Sequence, residues 1–83
     1  MKSKKIKVVT KTTEKLLKLL KVKAEIKVEE DQVNQAIKVQ IQTEEQGILI
    51  GFHGETLAAF QLLLGIIVGK EIGEWLRILV NVG

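Results

Sequence analysis

The chain has 83 residues, room for one small domain, because folded domains run from about 50 to 250 residues. It contains no Cys and one His, which excludes disulfide scaffolds, thiolate nucleophiles and Cys-ligated zinc and leaves a His-rich metal site without its ligands. A hydrophobic fraction of 46% supports a buried core without such staples.

Charge is unevenly spread. The net value is +3, yet Met1 to Lys23 carries nine Lys against the single Glu14, a balance of +8, and the remainder carries −5. A basic start followed by an acidic body suits a polyanionic partner or an anionic surface at one end of the molecule. Residues 1–11 read as a basic N-terminal arm, and residues 12–83 as the folded domain. No apolar h-region follows the first lysines, so the start does not read as a secretory leader.

Thr10, Thr12 and Thr13 precede Glu14, a hydroxyl-then-acid pattern typical of a helix start, and predict a first helix over Thr12–Lys21. Leu16, Leu17 and Leu20 form its apolar stripe with Thr13, and Lys11, Lys15, Lys18 and Lys21 fall on the opposite side. Residues 23 to 29 then alternate: Ala24, Ile26 and Val28 share one face of a strand whose other face is charged. The alternation returns at Ile37, Val39 and Ile41 after the polar stretch Glu30 to Gln35, which predicts an antiparallel hairpin. A short helical segment spans Thr43–Ile50, and a longer helix spans about Glu55–Gly69. A third alternating segment, Trp75–Val82, closes the chain as a strand, with Trp75 expected to staple its start. The order α-β-β-α-α-β predicts an α+β fold, a three-stranded sheet with helices on one face.

The longest apolar run, Leu57 to Val68, is twelve residues broken by Gln61 and Gly65, against the roughly 20 that a membrane span needs. It reads as a buried helix with Phe60 and Leu64 in the core, no membrane span is expected, and the chain reads as soluble and cytoplasmic. Leu62, Leu63 and Ile66 lie on other sides of that helix, more apolar surface than one sheet covers. Two Phe, one Trp and no Tyr provide no row of stacking aromatics.

The most informative stretch is Gly47-Ile48-Leu49-Ile50-Gly51-Phe52-His53-Gly54-Glu55-Thr56-Leu57. Glycines at 51 and 54 between two helices free the backbone from Cβ crowding, so that another chain can approach closely. Gly54 also stands before a long helix, whose unpaired N–H groups and positive pole attract an anion such as phosphate. Glu55 and Thr56 are positioned to cap that helix. Ile48, Leu49 and Ile50 either line a groove for bases or anchor the short helix in the core. His53 stands alone in its loop without partners for acid–base or metal chemistry, so neither an enzyme nor a cofactor is expected.

This pattern resembles the Ile-Gly-x-x-Gly hallmark of KH domains, whose loop clamps four nucleotides of a single strand, and the element order resembles the type II version. More narrowly, Gly47 to Leu64 looks like the KH domain of the bacterial Jag (SpoIIIJ-associated) proteins. Gly47, Leu49, Ile50, Gly51, Gly54, Glu55, Thr56, Leu57, Ala59, Gln61 and Leu63 stand where that family's pattern expects them. In layout the likeness covers about Thr12 to Gly83. It stops short of the Jag proteins' C-terminal Arg-x-x-x-His-motif domain, so a fragment or a minimal version is expected.

The resemblance implies non-catalytic binding of single-stranded RNA, or single-stranded DNA, through Leu49, Ile50, Gly51, Phe52, His53, Gly54, Glu55 and Thr56. Strand residues such as Val39 or Ile41 would add an aliphatic floor. Family loops usually carry Lys or Arg in the middle; here Phe52 offers a stacking ring and a protonated His53 a phosphate contact. The acidic Glu29-Glu30-Asp31 hairpin corresponds in layout to the family's variable loop, where it would repel phosphate and weaken binding. The competing reading is a protein–protein interaction or dimerisation module, a homodimer or a pair with another KH-type protein, on a degenerate KH fold without nucleic-acid binding.

Overall fold

The computed structural model describes residues 2–83. Its elements are α1 (Lys2–Leu19), β1 (Glu25–Asp31), β2 (Ala36–Gln42), α2 (Gln46–Ile50), a single 3-10 turn over Phe52–Gly54, α3 (Glu55–Ile72) and β3 (Ile78–Val82). The α-β-β-α-α-β order and α+β class are those the sequence predicts. The sheet runs β1-β2-β3. β1 is antiparallel to β2, with Val28 opposite Val39, and β3 is parallel to β2, with Val80 beside Val39.

The helix expected from Thr12 begins instead at Lys2, so the stretch read as a basic arm is helical over its described residues. Val9, Thr12, Thr13 and Leu17 are buried, with Ile6, Val8 and Leu16 partly so. That is one apolar face continuing upstream through the threonines. Thr13 does not cap a helix: its Oγ1 donates to the carbonyl of Val9 at 2.7 Å, one turn back and fully buried. The back-bond satisfies a hydroxyl that sequence reading placed at a boundary.

Helix α1 ends in a Schellman motif. The Val22 amide donates to the Leu17 carbonyl and the Lys21 amide to the Lys18 carbonyl, both at 3.0 Å, with Lys21 at φ 58°. Leu17 and Val22 are both in the core, the apolar contact that accompanies this cap.

Helices α1 and α3 cross the sheet side by side and antiparallel. Lys5, near the start of α1, pairs with Glu74, just past the end of α3, at 3.6 Å. Beneath them Val39 and Ile41 of β2 meet Leu64 and Val68 of α3 with essentially no exposed surface. Each such side chain contributes about 1.5–3 kcal/mol on burial. Phe60 and Leu64 are thus core residues, as their spacing predicts.

The expectation for Trp75 changes. Trp75 does not seal the approach to β3; it is 73% exposed, its ring edge lying 3.9 Å from where a Cβ on Gly65 would stand. The chain between Ile72 and Ile78 is not strand, so Trp75 has no ladder position to hold it inward. Lys38 makes a solvent-exposed ion pair with Asp31 at 3.6 Å. Arg77 has no ion pair among the described residues; its carbonyl accepts from the Ile37 amide at 2.8 Å.

Candidate nucleic-acid interface

The approach to the loop is built by a small polar junction. Thr43 Oγ1 donates to the Lys23 carbonyl at 2.7 Å and accepts from the Glu45 amide at 3.0 Å. The Lys23 amide donates to Glu45 Oε2 at 3.4 Å. These bonds turn the chain out of β2 into α2, a helix of one turn. Leu49 holds that turn down: it is 1% exposed and part of the core. It therefore anchors the site from below and is not itself a contact surface, whereas Ile48 and Ile50 are exposed.

Gly51 ends α2, its amide donating to the Gly47 carbonyl at 2.9 Å. Its φ of 71° with ψ of −173° is a region open essentially to glycine alone. A Cβ here would also run into the Oγ1 and Cβ of Thr56. Thr56 thus covers Gly51 and caps nothing, since α3 has no side-chain capping bond and Gly54 is its N-cap. Gly54 has φ 75° and ψ 11°, and no atom lies within 4 Å of where its Cβ would be. One glycine is needed for packing and the other leaves backbone uncovered.

Between them Phe52 is 78% exposed and His53, at φ 55°, is exposed as well. Their rings meet edge to face with centroids 3.9 Å apart. The amides are divided. Gly54 donates to the Gly51 carbonyl at 3.4 Å and Glu55 to the Phe52 carbonyl, which closes the 3-10 turn. The next two N–H groups, of Thr56 and Leu57, belong to the first turn of an 18-residue helix and have no partner within it. Their helix pole carries partial positive charge.

The structure withdraws two expected parts of the groove. Val39 and Ile41 are at 1% and 0% exposure, on the sheet face that the helices cover, and provide no floor. The acidic hairpin does not flank the loop either. Glu30 and Asp31 lie with Glu74 to Arg77 around one cavity of about 340 Å³, past the C-terminus of α3, while the loop precedes its N-terminus. Eighteen residues of helix at 1.5 Å each separate them by about 27 Å. The reason is topological, because β2 carries the chain away from the hairpin before α2 begins.

The sequence reading placed Gln61 in the family pattern but missed what it does in the fold. Gln61 Oε1 accepts from the Val80 amide at 2.8 Å, tying the second turn of α3 to the edge strand. Its signal was present as the one polar side chain in the run from Leu57 to Leu64.

A three-stranded mixed sheet under antiparallel helices, with a glycine-bounded turn between α2 and α3, defines a KH domain of the α-β-β-α-α-β type. The chain belongs to the KhpA/KhpB KH-domain family, whose model matches residues 6–80. Over 65 residues it is 28% identical to the RNA-binding protein KhpB of Clostridium symbiosum. That match covers 78% of this chain and 29% of the relative, so the chain spans less than a third of that protein. The resemblance to Jag-type KH domains read from Gly47 to Leu64 agrees with this membership.

Proposed function

We propose that this domain binds single-stranded RNA without catalysing a reaction, through the turn Gly51–Gly54 and the first turn of α3. The observation that carries the reading is the pairing of bare backbone at Gly54 with two helix-start amides, beside a Phe52 ring that stands in solvent. A phosphate accepts from such amides, and a base stacks on such a ring at about 1–3 kcal/mol. Membership of the KhpA/KhpB family and likeness to a protein named for RNA binding support RNA as the ligand.

Attraction over distance comes from α1. Lys4, Lys7, Lys11, Lys15 and Lys18 are exposed at spacings of three and four residues, on one flank of the helix. None of the five is in an ion pair among the described residues. With no cation inside the loop, affinity is expected in the micromolar range or weaker, about that of a single small module dominated by backbone contacts.

Titration of a labelled single-stranded RNA tests the reading. Phe52→Asp with His53→Asp places two carboxylates where the phosphate chain would pass, at exposed positions that leave the core untouched. Binding should fall at least tenfold. Equal binding by wild type and variant removes the loop from the mechanism, and a parallel titration with DNA of the same sequence reports whether the 2′-hydroxyl is read.

A further inference from the structure

Besides His53 the chain has three aromatic side chains, Phe52, Phe60 and Trp75. Phe60 is in the core, whereas Phe52 is 78% and Trp75 73% exposed. Trp is a residue that folded chains bury for most of its surface and place at interfaces when they do not. A bare indole therefore marks a contact surface. Phe52 belongs to the loop; Trp75 has no role in it.

A row on α3 joins the two rings. Gly54, Ala58, Gln61 and Gly65 are spaced by four, three and four residues, which sets them on one line along the helix. The line is shallow. No atom lies within 4 Å of a Cβ built on Gly54, Ala58 is exposed, and at Gly65 the nearest such atom is the Trp75 ring itself at 3.9 Å. Gln61, the one long side chain of the four, is drawn onto β3 by the Val80 amide at 2.8 Å. From Gly54 to Gly65 the row measures about 17 Å at 1.5 Å per residue.

Charge at the far end suits a phosphate chain. Lys70 shares with Trp75 the notch along Gly65, Gly69 and Gly73, and Arg77 shares with it the cavity beside the hairpin. Both cations are exposed and in no ion pair among the described residues. Of the carboxylates around them, Glu74 is engaged by Lys5 and Asp31 by Lys38, which leaves Glu30 as the unpaired acid of that cavity.

We propose that an RNA strand held at the loop continues along this row and stacks a further base on Trp75, with Lys70 and Arg77 receiving the phosphates on either side. This second subsite rests on the loop reading. A clamp of this kind takes about four nucleotides, and 17 Å adds about five at the stacked spacing of about 3.4 Å, fewer in a drawn-out strand.

Trp75 is the one tryptophan of the chain, so its emission reports on that position alone. Labelled single-stranded RNA of about nine nucleotides should quench it on binding, and RNA of about four should bind and leave it unchanged. Trp75→Ala should weaken binding of the longer RNA about fivefold or more, the least that stacking of one base contributes. The shorter RNA should bind that variant as it binds wild type, and Trp75→Phe should recover most of the loss. Emission that stays flat while anisotropy shows the longer RNA saturating the protein overturns the subsite. Equal binding of that RNA by wild type and Trp75→Ala does so too, as does an emission shift that follows chain concentration without RNA, which would assign the indole to a second copy. Phe52→Asp with His53→Asp separates the two readings. If that variant loses both RNAs while wild-type emission stays flat, the second subsite alone fails; if it binds both as wild type does, the loop reading fails and the subsite with it.

Discussion

At the scale of single residues, the two glycines of the loop are not equivalent. Gly51→Ala forces a Cβ onto Thr56 in a backbone region that alone costs about 1–3 kcal/mol. Gly54→Ala meets open space and carries only the left-handed penalty of about 1–2 kcal/mol. Urea denaturation should therefore rank Gly51→Ala as clearly the more destabilising, and equal losses would contradict the packing described for Thr56. The spacing of the glycines was legible in the sequence, but this difference was not, because Thr56 reads as a helix cap until its position over Gly51 is known. Asp31 gives a second residue-scale prediction. Donation from the Asn34 side chain and amide, then the nearby Lys38 ammonium, hold its carboxyl below the ordinary 3.8. A carboxylate lowered on folding stabilises above its unfolded value and loses that contribution as pH falls through the folded one. Wild type should melt higher than Asp31→Asn at about pH 6, and the gap should close below 3.8; a gap that persists in acid would show that the carboxylate charge is not its source.

Among the elements, α1 shows most clearly how a local signal loses to packing. Three threonines before an acid resemble a helix start, yet Val9, Thr13 and Leu17 form one buried face that spans them. The β-branched content of Val8 to Thr13 lowers intrinsic helix propensity by tenths of a kcal/mol per residue, less than burial of one such side chain returns. The end of α1 carries a prediction of its own. Lys21 occupies the left-handed position that glycine fills in most Schellman caps. Lys21→Gly should stabilise the domain by about 1 kcal/mol, read as a higher midpoint in thermal melts. No gain would mean that the lysine stem compensates by packing.

Across the whole molecule, the antiparallel course of α1 and α3 sorts the lysines by distance from the loop. The Lys5–Glu74 pair fixes the start of α1 beside the end of α3, which leaves Lys15 and Lys18 at the end where the loop lies. For single strands, log K falls with log salt by about 0.7 for each phosphate neutralised. Lys15→Glu with Lys18→Glu should weaken RNA binding severalfold at low salt and flatten that slope, whereas Lys4→Glu with Lys7→Glu should change both much less. Equal effects from the two pairs would place the lysine field, and not the loop, at the centre of binding.

Periodicity and turn residues in the chain were sufficient to determine element order, sheet composition and the glycine-bounded turn, because strand alternation, helical stripes and positive-φ demands are local constraints written residue by residue. Tertiary structure alone decided where α1 begins, which apolar residues are hidden and which are bare, and that the acidic hairpin stands a helix length from the loop. Those outcomes depend on which segments cover one another. The family resemblance implied contact roles for Val39, Ile41 and Leu49, yet all three are buried in the core beneath the helices, while Leu62 and Leu63 remain in solvent because the sheet has only one covered face to offer.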